Sequence, residues 1–562
     1  MPGMANSRKL QFPAKIKGVF PVLLLAAVSL ATYWSATGHE FLINWDDRQY
    51  VLENPLVKGF SLEHVASAFS SYHVGNYAPL HLVSYMLDFE VWGLRASGFI
   101  FTNILLHTLN GLLFFLLLRR LSGDRVWVFF ATLIFLLHPV QVESVVWVSQ
   151  RKTLLAMVFF LAGVHFHALY KEEGGQRAGQ FYALSLSCFL LALLSKSVTV
   201  ILPAILVLHD LCFRAEKDAR KLLVDKIPYI AVGAAFGFLA VVSHSAQLLG
   251  GGTTWHGGSP YATFLTMLPV LMRYIGLILW PANLSAYYDI PMKTAPDREV
   301  AAAALLIVLL ILAGWALYRR RRDLFFWYIL FFVALLPVSQ IVPIVTLMND
   351  RYLYFPMLGA SVLLGFAFLR DAEWADLARS RRCSAAAVLL LLVIGGFTAT
   401  TIGRIGVWQD SRTLWADAVR KAPNVALTHD AYGEGLLARG EIDEAIVQFQ
   451  VALSREPDFS GGGIGAGVRA AFANTHNNLG AAYGTKGMHD RAIEQFAVAI
   501  RLNPRLAEAH FNQGNALMQK GSVEEALRSF ETAFRLNPSN PAYAANLRGT
   551  REILKAGNVQ NP

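Results

Sequence analysis

Eleven stretches of this chain are apolar over a length near that of a bilayer crossing: residues 18–37, 98–118, 126–147, 153–170, 180–194, 197–213, 227–244, 300–318, 324–338, 351–369 and 384–403. A hydrocarbon layer of about 30 Å takes roughly 20 residues of helix, and a backbone inside it can bond only to itself. Residues 1–404 are therefore read as an all-α, polytopic membrane domain with about eleven spans. The composition agrees, because 55% of the 562 residues are hydrophobic and only 16% are charged. The formal net charge of +10 is no sign of a nucleic-acid partner, since the Lys and Arg residues lie in short clusters between apolar runs, where they set topology.

Those clusters fix an orientation. Arg8, Lys9, Lys15 and Lys17, then Arg119-Arg120 with Arg125, Lys171 with Arg177, the 214–226 loop, Arg319–Arg322 and the 370–382 loop all belong on the cytoplasmic side. The first run reads as a start-transfer anchor rather than a signal peptide, as no small-x-small cleavage site follows it. Residues 264–280 are apolar enough to cross, but a crossing there would put Arg319–Arg322 outside, so the segment is read as interfacial or re-entrant. The loops 38–97, 139–152, 245–299 and 339–350 then share the outer face, together with the C-terminus. Cys188, Cys212 and Cys383 form no CxxC and fall in none of these loops, which argues against disulfides and thiolate zinc. The lack of organelle signals points to a bacterial inner membrane.

Beyond about residue 405 the composition becomes that of a soluble domain and a period appears. Gly480, Tyr483, Ala492, Phe496, Ala499 and Pro504 recur 34 residues later as Gly514, Leu517, Ala526, Phe530, Ala533 and Pro538, which is the tetratricopeptide spacing. Gly433, Leu436, Ala445, Phe449, Ala452 and Pro457 form an earlier copy, and Trp415, Ala418 and Pro423 half of another. The domain 405–562 thus holds a half-repeat at about 405–425 and repeats at 426–459, 473–506 and 507–540, with a glycine-rich loop or hinge from Ser460 to Gly467. Taken alone, such an array indicates a scaffold without chemistry.

Chemistry belongs to the outer loops. Asn44-Trp45-Asp46-Asp47-Arg48 delivers two carboxylates to the membrane boundary just after the first run, with Glu53 and the Asn54-Pro55 turn close behind. Trp45, Tyr72, Tyr77 and Trp92 suit interfacial anchoring. His138-Pro139 and Glu143 end one apolar run, and Arg151-Lys152 open the next. Asp350-Arg351-Tyr352 stand at a second helix entrance of the same kind. Cations at an outer helix end defy the charge rule, and two readings are open: they hold an anion, or they snorkel to headgroups. An Arg fork matches phosphate, and Tyr352 suits a sugar or isoprenoid face. His165 and His167, two apart on a helix, face different ways and make no metal pair. Gly250–Gly252 read as a flexible outer loop.

Together, Trp45-Asp46-Asp47, Asn54-Pro55, His138-Pro139 with Glu143, Arg151, Asp350-Arg351-Tyr352 and the repeats resemble the transmembrane and tetratricopeptide repeat-containing (TMTC) proteins. These are protein O-mannosyltransferases of the GT-C glycosyltransferase fold. The resemblance implies a polyprenyl-phosphate sugar donor and inverting transfer to Ser or Thr hydroxyls of an exported protein or peptide acceptor in the repeat groove. It makes Asp46 and Asp47 the catalytic acidic motif, either one of them the base. Arg151 and Arg351, with Lys152 beside them, face the donor phosphate, and Glu53, His138, Glu143, Asp350 and Tyr352 support the site. A divalent cation at the acidic pair is compatible with this reading. The array is shorter than in the better-known members, which leaves two alternatives: transfer to a glycolipid or cell-envelope polymer, or a membrane-anchored assembly scaffold.

Overall fold

The computed structural model describes residues 14–214, 216, 218–247, 255–370, 372–457 and 466–559. Arg8 and Lys9, Gly250–Gly252 and residues 460–465 of the glycine-rich insert lie outside them. Among the described residues every regular element is a helix, and the sole β-pairing is an isolated bridge between His73 and Asn76. The all-α expectation holds.

Fewer described helices than the eleven apolar runs reach the length of a straight crossing. Eight described helices are long and apolar enough to span, or nine if the pair Val126–Leu137 and Pro139–Val146, bent by 48°, counts as one broken span rather than a re-entrant loop. Val126–Leu137 has 12 residues, Arg322–Leu335 has 14 and Met357–Leu369 has 13, and Ser197–Phe213 is also short. Proline explains the stops: Pro139, Pro337 and Pro356 lie at the ends of the first three, where a missing N–H and the ring clash prevent a straight continuation. Irregular backbone at this depth is tolerated because it is covered by protein. Val140, Val145 and Leu353 are buried.

The segment expected to be interfacial is a 20-residue helix, Pro260–Leu279, long and apolar enough to cross. His256, just before it, bonds the Ile344 carbonyl at 2.8 Å; Tyr274 Oη accepts from the Asn349 N–H at 3.3 Å; and His138 Nε2 donates to the Ile278 carbonyl at 2.9 Å. These bonds tie the start and the C-terminal part of the helix to the loops that carry Ile344, Asn349 and His138.

Close helix contacts in the membrane domain use small residues. A Cβ on Gly359 would lie 2.2 Å from the Trp327 carbonyl, so Met357–Leu369 and Arg322–Leu335 meet nearly backbone to backbone. The repeats pack on the same principle. A Cβ on Gly433, Gly480 or Gly514 would lie 2.6, 2.7 or 2.6 Å from the ring of Phe449, Phe496 or Phe530, so each aromatic fills the space its glycine leaves. The helix pairs are Ala426–Ala438 with Ile442–Leu453, Ala466–Thr485 with His489–Leu502, and Ala507–Gln519 with Val523–Leu536, followed by Pro541–Val559.

The half-repeat helix Ser411–Lys421 joins the two parts. Asp410 caps it, accepting from the Thr413 N–H at 2.8 Å, while Asp417 pairs with Arg404 of the last membrane helix, Arg381–Val407, at 2.6 Å. Lys421 donates to the Leu284 carbonyl at 2.5 Å and Arg439 pairs with Asp410 at 2.8 Å. The first repeat is thereby bolted to the loop layer.

Candidate active site

Between that layer and the first repeat lies a cavity of about 840 Å³. Asp46, Lys152, Lys196, Arg351 and Tyr352 line its polar part; Val200, Phe236, Leu239, Pro337, Val342 and Val345 line an apolar side; Trp415, Leu427, Asp430, Ala431 and Glu434 close it from the repeat domain.

The two acidic neighbours separate. Asp47 is buried and accepts three hydrogen bonds: from the Leu42 N–H at 3.1 Å, from the Ser149 N–H at 3.0 Å and from the Ser149 hydroxyl. It pins the first loop to the turn before Arg151. Burial pushes its pKa up to about 6, against the pull of the Ser149 and Leu42 donors. Both Asp47 oxygens are thus occupied, and Asp47 is not among the residues that line the cavity. Asp46 points the other way. It lines the cavity, its side chain 29% exposed, with Lys152 Nζ at 3.9 Å.

The basic neighbours separate too. Arg151 is fully buried: Nη2 donates to Asp88 Oδ2 and to the Phe99 carbonyl, both at 2.6 Å, and Nε donates to Asn103. Arg151, expected at the donor phosphate, is not among the residues that line the cavity. The guanidinium ties Pro79–Trp92 and Ala96–Ser122 to the start of Arg151–Glu172, and it is neutralised there by Asp88. Lys152 faces the cavity, its ammonium 4.8 Å from the Tyr50 ring centre.

Arg351 is the cavity member of the second entrance. Glu143 accepts from its N–H at 2.9 Å and from its guanidinium, which lies 5.4 Å from the Trp147 ring and 5.3 Å from the Tyr352 ring. Asp350 beside it is buried and accepts from the Tyr288 hydroxyl; burial and the neighbouring Glu143 raise its pKa. Tyr352 bonds Thr346 at 2.7 Å. His138 shapes its turn, accepting from the Val140 N–H at 3.3 Å while donating to Ile278, and does not line the cavity. Glu53 does not either: it forms an exposed pair with Arg48 at 2.6 Å.

Lys196 was missed. It lies between Gly175–Ser195 and Ser197–Phe213 and donates to Thr153 Oγ1 at 2.7 Å. Burial, then Lys152 and Arg351, hold its pKa well below the usual lysine range. An anion entering the cavity relieves that penalty. The signal was present in the sequence, because a lone Lys at an outer turn breaks the charge rule as Arg151 and Arg351 do.

A divalent cation finds a poorer fit. Asp46 offers a carboxylate, but Lys152 is its neighbour and both Asp47 oxygens are taken. The three-ligand cluster among the described residues, His167, His209 and Asp210, lies elsewhere, and Lys171 and Lys226 already pair with its carboxylate.

Family models for the tetratricopeptide repeat match residues 473–506 and 507–540. The protein O-mannosyl-transferase F38B6.6 of Caenorhabditis elegans is 23% identical over 465 residues, covering 79% of this chain. Protein O-mannosyl-transferase TMTC2 of Mus musculus is 25% identical over 240 residues, 39% of this chain. This chain is TMTC-like. The TMTC-like chain spans 64% of the length of the worm relative and 28% of the mouse one. Among solved structures, the Archaeoglobus fulgidus oligosaccharyltransferase aligns over 77% of this chain and 59% of its own, with 14% identity and a TM-score of 0.41.

Proposed function

We propose that this TMTC-like chain is a membrane glycosyltransferase that moves a sugar, mannose by its likeness to the O-mannosyl-transferases, from a polyprenyl-phosphate donor to Ser or Thr hydroxyls of exported proteins. The observation that carries the reading is one cavity that sets Asp46 beside three basic side chains, Lys152, Lys196 and Arg351, and against an apolar side wall, with Asp430 and Glu434 on the repeat side.

A hydroxyl is a weak nucleophile at neutral pH. Asp46 takes its proton as the acceptor oxygen bonds to the anomeric carbon, a contribution of about 10²- to 10⁴-fold. The bond from that carbon to the phosphate oxygen breaks on the opposite face, which inverts the centre, and polyprenyl phosphate leaves with the electron pair. Lys152, Lys196 and Arg351 neutralise the charge that develops on it. The polyprenyl chain runs along Val200, Phe236, Pro337 and Val342. The acceptor reaches Asp46 from the side of Asp430 and Glu434, where the repeat groove opens. In this reading residues 1–404 bind the donor and 405–562 the acceptor, with the N-terminus cytoplasmic and the repeats outside a bacterial inner membrane.

The test is transfer in nanodiscs from a polyprenyl-phosphate mannose to a Ser/Thr peptide. The wild-type chain glycosylates the peptide, and Asp46→Asn slows this by about 10²-fold or more while still binding donor. Wild-type rates in Asp46→Asn overturn the assignment.

A further inference from the structure

Asn44 stands two residues before Asp46, and its amide is bonded at both ends to the repeat domain. Trp415 Nε1 donates to Oδ1 at 3.1 Å, and Nδ2 donates to the Ala431 carbonyl at 2.6 Å. The orientation of the amide is unambiguous, since an indole N–H needs the oxygen and a carbonyl needs the NH₂. Trp45, the next residue, has ring centres of Trp415 at 5.0 Å, Trp147 at 4.4 Å and Trp408 at 6.1 Å. Asp47, on the far side of Asp46, is held by Leu42 and Ser149 of the membrane domain. Asp46 therefore sits between one anchor owned by the repeat domain and one owned by the membrane domain. Among the described residues its own charged neighbour is Lys152, at 3.9 Å, too long for a hydrogen bond to fix it.

We propose that Asn44 is a positioning residue: the docked half-repeat and first repeat, through Trp415 and Ala431, set the aim of the Asp46 carboxylate. The proposal rests on the reading of Asp46 as the base. Its consequence is that the repeats are part of the reaction centre, so transfer to an acceptor too short to occupy the groove depends on them as well. A carboxylate that must meet a hydroxyl proton within hydrogen-bond reach is sensitive to displacement, and a shift of about 1 Å can lower turnover by about a hundredfold.

The experiment uses the full chain in nanodiscs, a polyprenyl-phosphate mannose and a Ser/Thr tripeptide. Asn44→Ala removes both bonds, and Trp415→Phe removes one while keeping an aromatic ring in the cluster. The expected result is a kcat about ten- to a hundredfold lower for Asn44→Ala and a smaller fall for Trp415→Phe. Both KM values should stay within about twofold of wild type, and the fraction of protein that binds donor should be unchanged. Wild-type kcat in both variants, with Asp46→Asn inactive, overturns the positioning role and leaves the base in place. A fall in kcat matched by the fall in donor-binding fraction in both variants marks loss of fold and also overturns it. Wild-type transfer by Asp46→Asn removes the base, and the positioning role with it.

Discussion

The entrances to Arg151–Glu172 and to Met357–Leu369 break the same charge rule, yet their buried anchors carry opposite charge. At the first, Arg151 is the buried anchor and Lys152 faces the cavity; at the second, Asp350 is buried and Arg351 faces it. The acidic loop repeats the division, with Asp47 as anchor and Asp46 forward. Consecutive residues on a helical turn point about 100° apart, so a pair at the rim of a packed domain sends one side chain inward and one into the open space. Three paired charges thus give three fixed loops and three groups that face the cavity. An exception to the charge rule marks the place but not which neighbour acts.

The sharpest way to break this comparison is to exchange anchor for actor in the basic pair. Arg151→Ala strands Asp88 and should destabilise the protein by about 3–5 kcal/mol, whereas Lys152→Met should leave the unfolding temperature in detergent nearly unchanged and weaken donor binding. Equal unfolding temperatures in the two variants would remove the distinction. The acidic pair should differ in pH response. The pKa of Asp47 is raised in the folded chain to about 6 from 3.8, so its stabilising contribution is full below about pH 4 and is lost as pH rises to about 6, up to about 3 kcal/mol. Thermal unfolding across that window should flatten in Asp47→Asn and keep its slope in Asp46→Asn. A smaller effect is expected at Lys196. Lys196→Met relieves repulsion with Lys152 and Arg351, so the donor-free protein should be no less stable, while donor affinity in a titration falls roughly tenfold, one charge-assisted contact. Undiminished affinity would take Lys196 out of the phosphate site.

Much of the architecture was legible because it rests on repeated chemistry. The Gly–Phe pairs of the repeats stand at the spacing the sequence announced, and each glycine meets its aromatic ring at nearly one distance. Apolar length was less informative, since it cannot show where a proline and a buried turn stop a helix early, as after Leu137 and Leu335. At the site, the loops were legible and the directions were not. Asp88 and Asn103, which claim Arg151, lie within apolar helices and carry no motif; only their approach in three dimensions reveals the partnership. Asn44 gave no sign either, because its two partners lie more than 370 positions away, at separations of 371 and 387.

Three short helices have a consequence for where the proposed reaction happens. At 1.5 Å per residue, Val126–Leu137, Arg322–Leu335 and Met357–Leu369 rise about 18, 21 and 20 Å, roughly two thirds of a 30 Å hydrocarbon layer. The turns that carry Glu143, Asn349 and Arg351 begin where these helices give out, so in the proposed membrane placement the floor of the cavity is sunk some way below the headgroup plane. In the proposed reaction a phosphate anchored to a long isoprenoid then has no need to be drawn up into water. Instead the proposed polar acceptor descends to it through the vestibule under the first repeat, and the desolvation burden of the encounter shifts from the lipid to the peptide.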